Sequence, residues 1–198
     1  NEMNETVFPK NASVVVIGGG ILGCSTLYHL AQSGVRDAIL LERSQLTSGT
    51  TWHSAAQVRA LRSSKNLTEL IRYSFSFFDE LEKEIGQATG WMQTGSLSIA
   101  TNQERWTHIL RQQSLAKLFG VSAQSIPIEE AKERWPLMNE KDLIGAVWSP
   151  DDGRVSPSDL CAALVKGAKS RGAKIFEETP VTGILTENQK IRGVITEK

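Results

Sequence analysis

Cysteine is nearly missing from this chain. Among 198 residues only Cys24 and Cys161 carry thiols, and they lie too far apart for a metal-ligand spacing, so free thiols in a reducing compartment are expected. Net charge is missing as well. Lys+Arg and Asp+Glu both number 22, a balance that recruits neither nucleic acid nor an anionic membrane surface. No apolar run approaches the roughly 20 residues that a membrane-spanning helix needs. Repeats, low-complexity segments and a domain linker are absent too. The length suits one sizeable domain or part of a larger one. The chain opens on Asn1 rather than Met and stops just after a strand-like run through Ile195. A fragment of a longer protein is therefore expected, and any targeting leader would fall outside it.

What is present is concentrated between Ser13 and Arg43. Val14–Ile17 is a short β-branched apolar run, as expected of a strand buried on both faces. Gly18-x-Gly20-x-x-Gly23 follows at once, then a helical stretch closed by Gly34, then a second apolar run ending in Glu42. This is the βαβ dinucleotide pattern, and each part has a physical role. Gly18 permits the tight turn out of the strand. Gly20 leaves room for a pyrophosphate to reach the backbone. Gly23 lets the helix lie close to the sheet. Ile21 and Leu22 open that helix, whose free N–H groups and positive dipole end face the pyrophosphate. Glu42, at the tip of the second strand, is placed to accept from a ribose.

The rest reads as alternating elements. Residues 1–12 form a polar N-terminal arm. Ser44–Ser54 is a Ser/Thr/Gly-rich loop leaving the carboxyl end of the sheet, and 55–62 is a short helical turn. A long amphipathic helix is expected over 67–85, with Asn66 and Glu69 at capping-box spacing. Its apolar stripe reads Leu67, Leu70, Ile71, Phe78, Leu81 and Ile85, with the Phe75–Phe78 cluster as core. Strands are expected at 95–100, 125–128 and 143–148, and helices at 103–118, capped by Asn102, and at 129–135. A helix over 157–170, opened by Ser156-Pro157, precedes strands at 174–177, 181–185 and 191–195. Residues 65–150 thus interrupt a doubly wound pattern that resumes after them.

Together, Val14-Val-Val-Ile-Gly-Gly-Gly-x-x-Gly23, Leu40-Leu-Glu42 and Leu46-Thr-Ser-Gly-Thr-Thr-Trp-His53 resemble the flavin domain of the sarcosine and dimethylglycine dehydrogenases, within the glycine-oxidase and D-amino-acid-oxidase class. Thr89-Gly-Trp, Gly95-Ser-Leu, Pro136-Leu-Met-Asn139, Asp151-Asp-Gly153, Gly172-Ala173 and Pro180-Val-Thr-Gly183 extend the resemblance over nearly all of 13–198. It implies an α/β fold: a Rossmann-like FAD-binding βαβ unit, with 65–150 an inserted α+β segment belonging partly to a substrate-binding layer. It also implies covalent FAD, carried by His53 through the 8α-methyl of the isoalloxazine; neutral imidazole is a good nucleophile near pH 7. Ser48, Gly49, Thr50 and Thr51 would serve the pyrophosphate and flavin, Arg43 would lie along the adenosine, and Val181 would bond the adenine through its backbone. The family continues after the Trp-His pair with Ala-Ala-Gly or Thr-Ala-Gly, whereas this chain reads Ser54-Ala-Ala56-Gln57.

The implied reaction is oxidative demethylation of an N-methylated glycine, sarcosine or dimethylglycine. Hydride passes from the methyl carbon to flavin N5, and the iminium is hydrolysed to formaldehyde or captured by tetrahydrofolate bound in a later, aminomethyltransferase-like half. Electrons would go on to an electron-transfer flavoprotein or to oxygen. Such one-carbon metabolism belongs to the bacterial cytoplasm or the mitochondrial matrix. The catalytic and carboxylate-binding residues of the family lie beyond this stretch, so no catalytic side chain is named, and residues 1–198 alone are expected to be inactive. Two other readings stand beside this one. A regulatory homologue that accompanies pyruvate dehydrogenase phosphatase resembles the same stretch but lacks the histidine, so His53 argues against it. A nicotinamide-dependent dehydrogenase would share Glu42, but the Ser-Gly-Thr-Thr loop and the inserted middle favour FAD.

Overall fold

A computed structural model describes residues 8–197; residues 1–7 of the expected arm, and Lys198, lie outside the described residues. The chain opens with β1 (Val15–Ile17), α1 (Ile21–Gln32) and β2 (Ile39–Leu41). After a loop come β3 (Gln57–Val58) and α2 (Lys65–Ile85), then β4 (Ser96–Ala100) and α3 (Gln103–Leu118). Next are β5 (Gln124–Ile126), α4 (Ile128–Arg134), β6 (Gly145–Ser149), β7 (Gly153–Arg154) and α5 (Pro157–Ser170). β8 (Lys174–Phe176), β9 (Val181–Glu187) and β10 (Lys190–Thr196) close the order.

These elements fall into two compact units, one made of Asn1–Ser54, Leu81–Thr89 and Pro157–Lys198, the other of Ala55–Glu80 and Gly90–Ser156. In the first, β1, β2 and β8 form a parallel sheet in the order β1-β2-β8, with Leu40 opposite both Val16 and Ile175. The central strand is therefore β2, and its Ile39, Leu40 and Leu41 are all buried. β1 was expected to be buried on both faces. Instead it lies at the edge of this sheet, and Ile17 is 54% exposed. The Ser13 hydroxyl and N–H both donate to Asp37, one residue ahead of the run into β2, and hold its carboxyl below the usual range.

α1 packs on α5, and a β-carbon on Gly167 would stand 2.6 Å from the ring of Tyr28. Tyr28 is itself fully buried, with its hydroxyl donating to Glu84 at 2.8 Å. The same interface brings Cys24 and Cys161 together as buried free thiols. The neighbouring Cys161 and burial push the Cys24 thiol far up, so it stays protonated and unreactive. β9 and β10 form an antiparallel hairpin whose turn, Asn188-Gln189, has both residues at positive φ, 49° and 62°. That is the turn hand that suits strand twist.

In the second unit β6 lies between β4 and β5, antiparallel to both. Alternation sends Val147 to a cluster with Ala100 and Ile109, and Ala146 to one with Ala131 and Met138. Both faces of this sheet are thus covered. The expected helical turn over 55–62 does not form. Ala56 sits at φ 58°, which no helix contains, and Gln57 and Val58 pair with Arg154 and Gly153. β7 went unread because two residues carry no periodicity.

α2 departs from expectation in phase. Leu67 and Leu70 are 48% and 59% exposed, while Thr68 is fully buried. The Thr68 hydroxyl donates to the Ser64 carbonyl and accepts from the Arg62 N–H, so a polar residue fills the buried place at no cost in orphaned groups. Ser64 rather than Asn66 caps the helix, its Oγ accepting from the Leu67 N–H. The Phe cluster is core as read: Phe75 and Phe78 both pack on Trp91.

Asp152 ties the second unit together. It is 4% exposed. Its carboxylate accepts from the Ala60 N–H at 2.7 Å and the Ser96 hydroxyl at 2.5 Å, and its carbonyl accepts from the Gly95 N–H. Arg59 lies 3.8 Å away. Asp152→Ala would strand the Ala60 N–H and the Ser96 hydroxyl and leave Arg59 without its counter-ion, and should cost about 3 kcal/mol, read as a lower urea midpoint at unchanged m-value. Ala56→Gly should act the other way, relieving the left-handed backbone and adding roughly 1 kcal/mol, about 3 °C in Tm. A Tm that falls for Ala56→Gly would show that the strain assignment is wrong.

Candidate functional site

The site grows from the place where β1 stops. Gly18 turns the chain at φ 106°, a conformation closed to other residues, and its N–H donates to the Leu41 carbonyl at 2.8 Å. α1 starts at Ile21 with Gly20 as an extended N-cap that has no side chain to cap it, and its first turn holds no acidic residue. The positive end of the helix is thus uncompensated within its own sequence. A β-carbon on Gly23 would lie 1.9 Å from the Gly18 carbonyl oxygen, so only glycine lets the helix begin there. A β-carbon on Gly20 would meet Thr51 Oγ1 at 3.0 Å. Without one, the backbone at the helix mouth stays bare, which is the cradle a pyrophosphate needs.

Glu42 follows β2 directly. Its Oε2 accepts from the Gly19 N–H at 2.6 Å and its Oε1 from the Ser44 N–H at 2.9 Å. A carboxylate offers about four acceptor sites, so capacity remains for ribose hydroxyls. Glu42 N–H donates to Phe176 O and Thr179 N–H to Glu42 O, which fixes the acid between β2 and the exit of β8. Arg43 beside it is exposed.

The loop after Glu42 folds back over the turn in a series of tight turns. Thr51 is 8% exposed, and its Oγ1 accepts the Ile21 N–H at 3.0 Å, satisfying the first donor of α1 from outside the helix. Ser48, Gly49 and Thr50 lie exposed on the loop. His53 is exposed as well, and its Nδ1 lies 3.0 Å from the Gly49 carbonyl oxygen. A carbonyl only accepts, so Nδ1 carries a proton, and in the neutral ring the lone pair is then on Nε2.

The structure thus gathers Gly18, Gly20, Ile21, Leu22, Gly23, Glu42 and Thr51 at one turn, with Ser48–Thr50 and His53 on the loop that covers it. Val181 opens β9, opposite Thr196 in the β9–β10 hairpin; Thr179, two residues before it, donates its N–H to the Glu42 carbonyl. Sequence reasoning passed over Gly19, Leu46 and Glu177. Gly19 is buried and its Cβ position lies 2.6 Å from Leu46 Cδ2, while the Leu46 N–H donates to Glu177 Oε1 at 2.7 Å. The run of three successive glycines was the available signal for Gly19. Nothing local marks Leu46 or Glu177.

A parallel βαβ unit with a glycine turn at the helix mouth and an acid at the tip of the second strand defines a dinucleotide-binding α/β domain. More narrowly, the profile of the FAD dependent oxidoreductases (DAO) matches residues 13–198, and the chain belongs to that family. It is 48% identical over 177 residues to human mitochondrial sarcosine dehydrogenase, covering 89% of this chain and 19% of that protein. It is 35% identical to the mouse pyruvate dehydrogenase phosphatase regulatory subunit, covering 100% of this chain and 22% of that one. Against human mitochondrial dimethylglycine dehydrogenase the identity is 35%, covering 91% and 21%. The chain therefore spans about a fifth of the length of these relatives. Among solved structures, L-proline dehydrogenase from P. horikoshii superposes with a TM-score of 0.89 at 32% identity, covering 96% of this chain and 50% of that one. The fold is the Rossmann-like fold of this family, and its dinucleotide is FAD.

Gly20→Val is the direct check on the cradle. Its side chain would crowd Thr51 Oγ1 and the helix mouth, so FAD affinity should fall at least 100-fold, about 3 kcal/mol. Far-ultraviolet circular dichroism should stay near wild type. Normal flavin content in soluble Gly20→Val protein would contradict the assignment.

Proposed function

We propose that residues 13–198 supply the adenosine, pyrophosphate and flavin-attachment part of an FAD-dependent oxidoreductase that demethylates an N-methylated glycine, sarcosine or dimethylglycine. The observation that carries this reading is the loop over the turn, on which exposed His53 holds its Nδ1 3.0 Å from the Gly49 carbonyl oxygen. Similarity to sarcosine and dimethylglycine dehydrogenases, whose names state their substrates, supports the choice of amine.

Bound FAD supplies the hydride acceptor. The residues of this chain bind and orient it. The mouth of α1, with the first-turn N–H groups of Leu22 and Gly23, holds the pyrophosphate; Glu42 accepts from the ribose; Arg43 lies along the adenosine. Thr51 keeps the loop on the helix mouth, and Ser48, Gly49 and Thr50 add polar groups along the cofactor. His53 Nε2 is the attaching atom. Val181 contributes its backbone to the adenine. The segment 65–150 provides part of a substrate-binding layer. An electron-transfer flavoprotein or oxygen would be the electron acceptor, and tetrahydrofolate, where a folate-binding half is present, would be the acceptor of the one-carbon product. The compartment is the cytoplasm in a bacterium and the matrix in a mitochondrion.

The second reading is a non-catalytic homologue of the phosphatase regulatory subunit, favoured by a similarity at 35% identity that covers 100% of this chain. One experiment separates the two. Full-length wild-type protein, denatured and run on a gel, should fluoresce with attached flavin, and His53→Ala should lose that band while still taking up FAD reversibly. A dark wild-type band from a yellow native sample would remove His53 as the attachment point. A native sample with no visible flavin would favour the regulatory reading.

A further inference from the structure

Two residues of the turn and its covering loop are pinned at both of their backbone polar groups. Gly19 donates its N–H to Glu42 Oε2 at 2.6 Å, and its carbonyl accepts from the Thr47 N–H at 3.0 Å. Thr47 in turn offers its carbonyl to the Trp52 N–H at 3.1 Å, a donor shared with Gly49 O at 3.2 Å. The next residue is His53. A run of backbone hydrogen bonds therefore leads from the carboxylate at the adenosine end to the residue beside the attaching histidine. Neither Gly19 nor Thr47 can rotate without breaking a bond.

Two further features show that this run is built rather than incidental. Thr47 holds φ 68°, an unfavourable conformation for a β-branched residue. Such a conformation persists only where the surroundings over-determine it. Leu46, the neighbour of Thr47, packs directly on the bare Cα of Gly19, where a β-carbon would collide with it. Gly20 and Gly23 are explained by the cradle and by the helix approach. Gly19 faces the loop.

We infer that Gly19 and Thr47 are positioning residues: together they clamp the Trp52–His53 loop to the dinucleotide turn, so that Glu42 and His53 keep one fixed register. Neither touches reacting atoms. The consequence for flavin attachment rests on the function proposed above, whereas the clamp itself does not.

The test uses the full-length protein and two readouts. In wild type, the Thr47 amide should exchange with deuterium at least about tenfold more slowly than an unbonded loop amide, although the loop lies at the surface. Fast exchange of that amide would overturn the clamp whatever happens to the flavin. Thr47→Pro removes the N–H and cannot adopt the backbone angle. It should slow covalent flavin attachment about tenfold or more while reversible FAD uptake changes less than about threefold, a split that general destabilisation would not give. Thr47→Gly keeps the N–H and adopts φ 68° freely, so it should attach flavin at the wild-type rate. Attachment at the wild-type rate in Thr47→Pro, or loss in Thr47→Gly, would also overturn the inference. Wild-type protein that attaches no flavin would remove the attachment reading and leave the exchange result to decide the clamp.

Discussion

Three residues separate β1 from α1, and the connection can be that short because Gly23 carries no side chain. Any β-carbon there would lie 1.9 Å from the Gly18 carbonyl oxygen, far inside the roughly 3.5 Å of atomic contact. The rest of the site follows from that closeness. The helix mouth opens on the same point at which β1 and β2 finish, so Glu42, the residue after β2, reaches the Gly19 N–H. The 43–54 loop, starting at the same level, needs only short turns to bring Thr51 over the first N–H of the helix. A longer connection between β1 and α1 would separate the helix dipole from the acid, and two weak determinants would no longer act on one ligand.

How much of this was legible in the sequence depends on the range of each interaction. The glycine turn, α1, β2 and Glu42 were readable because their determinants lie within one local unit and repeat a known spacing. Asn102 as a cap was readable for the same reason, and it accepts the Arg105 N–H at 2.9 Å. β3 and β7 were not, because each consists of two residues and they pair with each other across nearly a hundred positions, with Arg154 also bridging Met92. The phase of α2 was misjudged on its first turn, where counting apolar residues favoured Leu67 and Leu70 and could not foresee that Thr68 would be satisfied locally. The burial of β1 was misjudged for another reason: apolar content does not reveal whether a strand is central or at an edge. Within the site, Thr51 was named as a cofactor group, but its bond to the Ile21 N–H depends on how a distant loop folds back.

Thr47 and Ala56 bracket the loop in sequence, and both hold left-handed backbone without being glycine. Each conformation costs about 1 kcal/mol or more. Ala56, at φ 58°, carries a strain that glycine in its place would relieve. The two strained residues are held differently. Thr47 is bonded through both its N–H and its carbonyl, whereas the carbonyl of Ala56 accepts the Val155 N–H at 3.1 Å. The loop between them is thus held by backbone bonding and by the buried Thr51 hydroxyl on the Ile21 N–H, while Trp52 stays 67% exposed.

That mode of fixation suits the proposed chemistry at His53 better than an acidic partner would. A carboxylate against Nδ1 would orient the ring but would also favour the imidazolium, which has no lone pair to offer. The Gly49 carbonyl, 3.0 Å from Nδ1, accepts the proton of the neutral tautomer and adds no charge. It comes from the backbone of the same turn, so ring and main chain move together. Orientation of Nε2 is therefore a property of the loop, and the loop is a property of the turn beneath it. The Gly19 carbonyl of the glycine turn, accepting from the Thr47 N–H at 3.0 Å, ties the dinucleotide turn to the loop that carries His53.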